Sequence, residues 1–100
     1  MTDAAEQQAI KGLIDLNSHP KNTDVMRPKF INGHIVLCAY PREFPGATGA
    51  LWVAIDRGRD SPRYVVATWA PVSPGSWSWG HYVKTAQQAR DYLRGKGVPV

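Results

Sequence analysis

The sequence has little cysteine, no long apolar run and fewer acidic than basic residues. Its one cysteine, Cys38, cannot form a disulfide within the chain and lies among apolar residues, so we expect a buried thiol in a reducing compartment. The longest apolar run, Ile35 to Tyr40, is far shorter than the roughly 20 residues that span a bilayer. The chain also opens with acidic Asp3 and Glu6. We therefore expect no membrane span, no signal peptide and a cytoplasmic protein.

Motifs of enzymes and cofactor sites are also missing. The glycines form neither a P-loop nor a dinucleotide-binding fingerprint, and no His, Cys, Asp or Glu residues have zinc or calcium spacing. A serine or cysteine nucleophile needs a histidine oriented by an acid, and no motif relates His19, His34 or His81 to such groups. The sequence therefore predicts a protein that is not an enzyme and uses no metal or cofactor.

Length and composition describe an ordinary globular chain with a basic surplus. At 100 residues, residues 1–100 are expected to form one domain. The apolar content is 43%, and 9 glycines with 8 prolines favour long loops. Twelve Lys and Arg against eight Asp and Glu give a net charge of +4 at pH 7, and the surplus lies downstream of the first helix. Such a charge suits nucleic acid, an acidic protein partner or plain solubility.

The two ends of the chain have helical patterns. Asp3 and Glu6 have capping-box character, and an apolar stripe at helical spacing follows up to residues 17–20, which stop it. This stripe consists of Ala9, Ile10, Leu13, Ile14 and Leu16. Near the other end, Thr85 with Gln88 forms a second capping-box candidate, ahead of a buried stripe of Ala86, Ala89 and Leu93. Both helices are expected to pack on the core.

The middle of the chain has strand patterns. Asn32-Gly33 separates residues 29–31 from residues 34–40 and suits a type I′ hairpin turn. Residues 50–56 alternate, with Leu51, Val53 and Ile55 on one face, and a polar turn leads into a β-branched and aromatic run at 63–69. We predict an α+β fold in which a three- or four-stranded antiparallel sheet lies between an N-terminal and a C-terminal helix, in the order α-β-β-β-α.

The most conspicuous local feature is the aromatic block of residues 77–82, Trp-Ser-Trp-Gly-His-Tyr. Trp79 and Tyr82 are expected to fold over the sheet edge as a core cap, with Gly80 allowing the turn. Trp77 alternates with Trp79, so in an extended segment it points the other way and is expected to be exposed. With Pro74 and Phe44 it would form an apolar patch that binds a protein partner.

Basic residues offer an alternative function in nucleic-acid binding. One cluster lies at a strand turn (Arg57, Arg59 and Arg63), and another lies on the last helix and its tail (Lys84, Arg90, Arg94 and Lys96). Trp52 or Tyr64 on the sheet would then supply an aromatic platform for bases. Asp56 and Asp60 flank the first cluster, so simple ion pairing is the competing interpretation.

Two resemblances extend this interpretation. The element order resembles the double-stranded RNA-binding domain in outline, but only Lys84 stands where that family has a basic cluster. Residues 63–95, and above all the run Trp79-Gly80-His81-Tyr82, resemble a pattern in small uncharacterised proteins of actinobacterial phages. That resemblance implies a phage accessory protein that acts in the host cytoplasm by binding a host protein, and exposed edge strands also allow a homodimer.

Overall fold

A computed structural model describes residues 4–22, 27–42 and 49–100 of the chain. Its helices are α1 (Ala4–Asp15) and α2 (Ala86–Gly95), with short 3₁₀ turns at Leu16–Ser18 and Pro20–Asn22. Its strands are β1 (Phe30–Ile31), β2 (His34–Pro41), β3 (Leu51–Asp56), β4 (Tyr64–Trp69) and β5 (Ser78–Val83). The predicted α+β class with a helix at each end is confirmed, but the sheet has five strands rather than three or four.

The sheet is an antiparallel meander in which each strand pairs with its neighbour in sequence, in the order β1-β2-β3-β4-β5. The predicted hairpin turn is confirmed, because Asn32 has φ of 52° and Gly33 has φ of 79°. Ile31 and His34 face each other across this turn. The alternation of β3 is also confirmed, since Leu51 and Val53 join one core cluster while Ala54 joins the other.

The fifth strand is the aromatic block itself. β5 pairs with β4 in the register Tyr64 to Val83 and Val66 to His81, and this register shifts between Val66 and Thr68. The shift marks a bulge, which gives the strand one residue more than its partner needs. Glycine and serine within the block lower its strand propensity, and for this reason the sequence pattern does not predict a strand here.

Both helices pack on one face of the sheet. The first core cluster joins Leu13 of α1 and Leu93 of α2 to Ala54, Tyr64 and Val66 of the strands. Glu6 links the helices, because its Oε1 accepts a hydrogen bond from the backbone N–H of Ala86 at 2.8 Å. The carboxylate of α1 therefore caps the start of α2.

The helix ends agree in part with the sequence patterns. The predicted capping box at α2 is confirmed, since Thr85 Oγ1 accepts from the Gln88 backbone N–H and the Gln88 side chain accepts from the Thr85 N–H. Asp3, the other predicted cap, lies outside the described residues. Ile14 was expected in the buried stripe, but it is exposed because α1 turns only Ala9 and Leu13 fully inward.

A second core cluster lies on the opposite face of the sheet. It contains Val53, Ile55, Val65 and Ala67, each of which is fully buried, and Trp77 packs against it. The aromatic block thus covers part of this second face of the sheet. The core cluster on this face contains no helix residue. No helix in the described part of the chain has the length and apolar character needed to cross a membrane.

Candidate functional site

Arg42 brings together aromatic residues from two strands. It follows β2 directly, and its backbone N–H donates to the Ala50 carbonyl at 2.9 Å, which extends the pairing of β2 with the start of β3. The guanidinium carbon lies over two indole rings, 4.0 Å from the Trp52 centroid and 5.5 Å from the Trp79 centroid. Its Nη1 also donates to Thr68 Oγ1. The guanidinium is therefore held in place by contacts with β3, β4 and β5.

Trp79 presents a large ring to solvent from a strained backbone position. Its φ is 55°, and 68% of the residue's surface is exposed to solvent. A non-glycine residue in the left-handed region costs roughly 1–2 kcal/mol. Gly80 permits this arrangement, because a Cβ there would lie 2.9 Å from the Tyr82 ring and 3.0 Å from Val65 Cγ2.

Three further rings continue from Arg42 toward α2. Trp52 meets Tyr92 edge to face at a centroid distance of 6.4 Å, and Tyr92 stacks on His81 at 3.9 Å with an interplanar angle of 10°. Lys96, just after α2, places its Nζ 5.3 Å from the Tyr92 centroid. We call Trp79, Trp52, Tyr92 and His81 the aromatic row. Arg42 and Lys96 add a cation near each end of it.

A cavity of about 360 Å³ opens beside the aromatic row. Three of its described lining residues are cationic (Lys21, Arg42 and Lys96), two are aromatic (Tyr40 and Trp52), and none is acidic. The remaining wall comes from Pro41 and the tail after α2. We call this space the basic cavity. Its lining suits a ligand that combines negative charge with a flat apolar part.

The turn after α1 positions Lys21 at the basic cavity. Asn17 binds the irregular part of β2, since its Nδ2 donates to the Leu37 carbonyl and its Oδ1 accepts from the Ala39 N–H. His19 Nδ1 accepts from the Lys21 backbone N–H at 3.1 Å, and its ring meets the Tyr40 ring edge to face at 5.4 Å. The turn is therefore fastened to the strand that carries Tyr40.

No family model, curated protein or solved structure matches this chain. The decisive features are the exposed Trp79, the guanidinium of Arg42 and the basic cavity.

The basic cluster predicted at the strand turn is largely paired with carboxylates. Arg63 donates from Nε and Nη2 to the two Asp56 carboxylate oxygens, both at 2.9 Å. This hydrogen bonding lowers the pKa of Asp56 and raises the pKa of Arg63. Arg57 donates to the Pro62 carbonyl at 2.8 Å and lies 3.9 Å from Asp60. Only Arg59 of this cluster is exposed, so ion pairing accounts for most of it.

The basic residues predicted on α2 have separate surroundings. Arg90 packs against α1, where a Cβ at Gly12 would lie 2.6 Å from its guanidinium carbon. Arg94 donates to the Val100 carbonyl at 2.7 Å and lies 3.8 Å from Asp91. Lys84 precedes the helix and is exposed. Of the predicted cations, Lys96 is the one that the described structure brings to the basic cavity.

The prediction of which rings in the aromatic block are buried and which is exposed is wrong. Trp79 and Tyr82 were expected in the core and Trp77 in solvent, whereas Trp79 and Tyr82 are exposed and Trp77 is half-buried. Trp77 packs on the second core cluster, and its Nε1 donates to Tyr82 Oη at 3.1 Å. The bulge in β5 is the physical reason, because it turns Trp79 out of the regular alternation.

The other members of the predicted protein-binding patch are less informative. Pro74 is exposed, and its carbonyl accepts from Trp69 Nε1 at 3.0 Å. Phe44 lies outside the described residues. The patch therefore stays a prediction, with a half-buried Trp77 at its centre.

Of the five charged and aromatic residues that line the basic cavity in the described structure, two were predicted as site residues from the sequence and three were not. Trp52 was predicted as an aromatic platform and Lys96 as a phosphate contact, and both lie at the basic cavity. Tyr64, the alternative platform, is buried beneath the helices, and burial raises the pKa of its hydroxyl. Lys21, Tyr40 and Arg42 were missed because Lys21 lies in a different segment from Tyr40 and Arg42. The alternation of β2 toward Tyr40-Pro41-Arg42 was the available signal.

The cysteine and the histidines have different surroundings, and His34 lies 3.9 Å from Asp60. Burial raises the pKa of the Cys38 thiol to about 12, so the thiolate form is suppressed at neutral pH. His81 stacks on Tyr92, and His19 accepts a backbone hydrogen bond. Among the described residues, no group of three or more His, Cys, Asp or Glu side chains is arranged to hold a metal ion.

Proposed function

We propose that the protein is a non-catalytic domain that binds single-stranded nucleic acid. The observation that carries this proposal is Trp79, whose ring is 68% exposed at a strained φ and lies beside the Arg42 guanidinium. Proteins that bind single strands stack bases on such rings and hold the backbone with nearby cations. A base on Trp79 would be followed by phosphates within reach of Arg42 and Lys96.

Single strands suit this surface better than duplexes. Trp79 offers a ring face, and ring faces bind bases that are not already stacked between neighbours. In a duplex each base is covered on both sides, so the strand would first have to open. Binding to the phosphates of duplex RNA would need several cations at the start of α2. In the sequence, Lys84 is the one cation at that position.

The overall charge is consistent with the proposal. The chain carries a net charge of +4 at pH 7, and three of its cations line one cavity beside the aromatic row. Contacts between cations and phosphates release counterions, so their contribution to affinity falls steeply with salt. Stacking on Trp79 is much less sensitive to salt, so part of the affinity should persist.

Fluorescence anisotropy with labelled oligonucleotides tests the proposal directly. Single strands of roughly 12 nucleotides and a matched hairpin duplex would be titrated at ~50 and ~200 mM salt. We expect the single strand to bind at least tenfold more tightly than the duplex, with weaker but measurable binding at the higher salt. Absence of single-strand binding at low salt would contradict the proposal.

A second candidate function is the binding of a host protein, the role that the phage resemblance implies. Phe30 and Ile35 are directly opposite each other in the first hairpin, and they are 62% and 53% exposed. Adjacent exposed apolar side chains of this size favour a protein contact. Affinity capture from bacterial lysate with and without nuclease separates the candidates. A partner that survives nuclease and is lost in Ile35→Thr supports this second function.

A further inference from the structure

The basic cavity has the size of a site for one small ligand. Its volume of about 360 Å³ lies toward the lower end of the range of roughly 300–1,000 Å³ for small-molecule pockets. A stretch of several nucleotides does not fit into such a space, whereas a single nucleotide does. The cavity is thus a separate feature from the open surface of Trp79, although Arg42 borders both.

Among the described residues, two lysines at the cavity lack the carboxylate partners that several other cations have. Arg63 pairs with Asp56 and Lys11 with Asp15, each within 3.0 Å. In the described structure, neither Lys21 nor Lys96 has a carboxylate oxygen within 4.0 Å. Each comes from a different part of the chain, so the two residues line one cavity only in the folded chain. Two such point charges at one cavity suit a phosphate group.

The aromatic walls of the cavity are held by their neighbours. Trp52 is covered by Arg42 at 4.0 Å and meets the edge of Tyr92, and Tyr40 meets the edge of His19. Rings fixed in this way lose little conformational freedom when a flat group packs against them. The walls therefore offer a preorganised apolar contact for a nucleobase beside the phosphate-binding lysines.

We propose that the basic cavity binds one nucleoside monophosphate, with its phosphate at Lys21 and Lys96 and its base against Trp52 and Tyr40. This inference rests on the proposed function. It names the nucleotide unit that binds in one part of the same site. The unit can come from a mononucleotide in solution or from one nucleotide of a bound strand. Both sources present the same phosphate and base.

Titration followed by the indole N–H resonance of Trp52 tests this site. The probes are adenosine and uridine monophosphates, the matching nucleosides and inorganic phosphate. We expect the monophosphates to shift the Trp52 resonance and to bind at least tenfold more tightly than either the nucleosides or phosphate alone. Equal affinity for nucleoside and monophosphate, or for phosphate and monophosphate, would overturn the inference.

A pair of variants at the two ends of α2 supplies the matched control. Lys96→Gln should weaken monophosphate binding by about tenfold, in line with the loss of one charge-assisted hydrogen bond. Lys84→Gln removes the same charge from the other end of the helix and should leave binding within twofold. Lys21→Gln should behave like Lys96→Gln. Equal effects of Lys84→Gln and Lys96→Gln would show that only the net charge matters and would contradict the site.

Oligonucleotides with and without a 5′ phosphate distinguish the sources and separate this inference from the proposed function. Tighter binding of the phosphorylated strand supports a strand end in the cavity, and equal binding with a shifted Trp52 resonance supports an internal nucleotide. Binding of monophosphates without any oligonucleotide binding supports the cavity and ends the proposed function. Oligonucleotide binding that leaves Trp52 unshifted ends the cavity inference and leaves the proposed function in place.

Discussion

Arg42 lies over the Trp52 ring, with its guanidinium carbon 4.0 Å from the ring centroid. This contact joins the end of β2 to β3 and directs the same guanidinium toward Trp79 on β5. A cation between aromatic side chains of two strands forms a surface that no single segment of the sequence contains. Substitutions of the residues around this guanidinium can therefore test stability and binding separately.

Trp79→Gly and Trp79→Ala should differ in stability. Both variants remove the indole ring, but only glycine adopts a φ of 55° without steric cost. We expect Trp79→Gly to be more stable than Trp79→Ala by about 1 kcal/mol, a difference of roughly 4–8 °C in Tm for a chain of this size. Thermal unfolding followed by circular dichroism measures it. A higher Tm for Trp79→Ala would show that the strained conformation is absent.

Trp77→Ala should destabilise the fold more than Trp79→Ala does. Trp77 packs on the second core cluster and donates to Tyr82 Oη, so its loss should lower the free energy of unfolding by about 2 kcal/mol, less than for a fully buried tryptophan. Urea unfolding gives this value. Val72→Ala, at a fully exposed apolar position in the preceding loop, is the control and should be neutral. An unchanged free energy of unfolding in Trp77→Ala would instead support the predicted exposed patch.

Stability should fall in acid through Asp56. Hydrogen bonding from Arg63 lowers the pKa of Asp56 below its ordinary value of 3.8. The carboxylate therefore contributes stability that is fully present above that ordinary value and is lost as the pH falls through the lowered one. Asp56→Asn should reduce Tm at neutral pH and show a smaller drop between pH ~7 and pH ~2.5.

The control for this pH dependence is Asp91→Asn. Asp91 is exposed and 3.8 Å from Arg94, so its removal should change stability little at either pH. An equal acid dependence in Asp56→Asn and in the unmodified protein would contradict the assigned role of the Asp56 to Arg63 pair.

Cys38 should resist thiol reagents as long as the protein is folded. The residue is 1% exposed, and burial raises the pKa of its thiol to about 12. We expect labelling by an aromatic disulfide reagent at pH ~8 to be far slower than in urea, where the thiol returns to its ordinary pKa near 8.5. Rapid stoichiometric labelling of the folded chain would show that β2 opens readily.

Local patterns in the sequence were sufficient for several elements. Asn32-Gly33 requires positive φ at both residues, and Thr85 with Gln88 forms a reciprocal cap, so each predicts its structure from adjacent residues. The alternation around Val53 likewise reports which side chains share a face. These features depend on steric and hydrogen-bonding preferences that act within a few residues.

The remaining features depend on contacts between distant segments. The partial burial of Trp77 and the exposure of Trp79 follow from the bulge in β5, which has no local signal in a segment rich in glycine and serine. Lys21, Arg42 and Lys96 line one cavity only because the 3₁₀ turn, the end of β2 and the tail of α2 come together. Charge clusters along the sequence instead pointed to Arg57 and Arg63, which local carboxylates pair with.

The central claim is that Trp79 provides a stacking surface for a single strand. The most direct test compares Trp79→Ala with Phe30→Ala, which removes another exposed ring from a different part of the sheet. Dissociation constants for a labelled single strand of roughly 12 nucleotides should rise about tenfold or more in Trp79→Ala, as expected for the loss of one base-stacking contact. They should stay within twofold in Phe30→Ala. Equal dissociation constants for Trp79→Ala and the unmodified protein would contradict the claim.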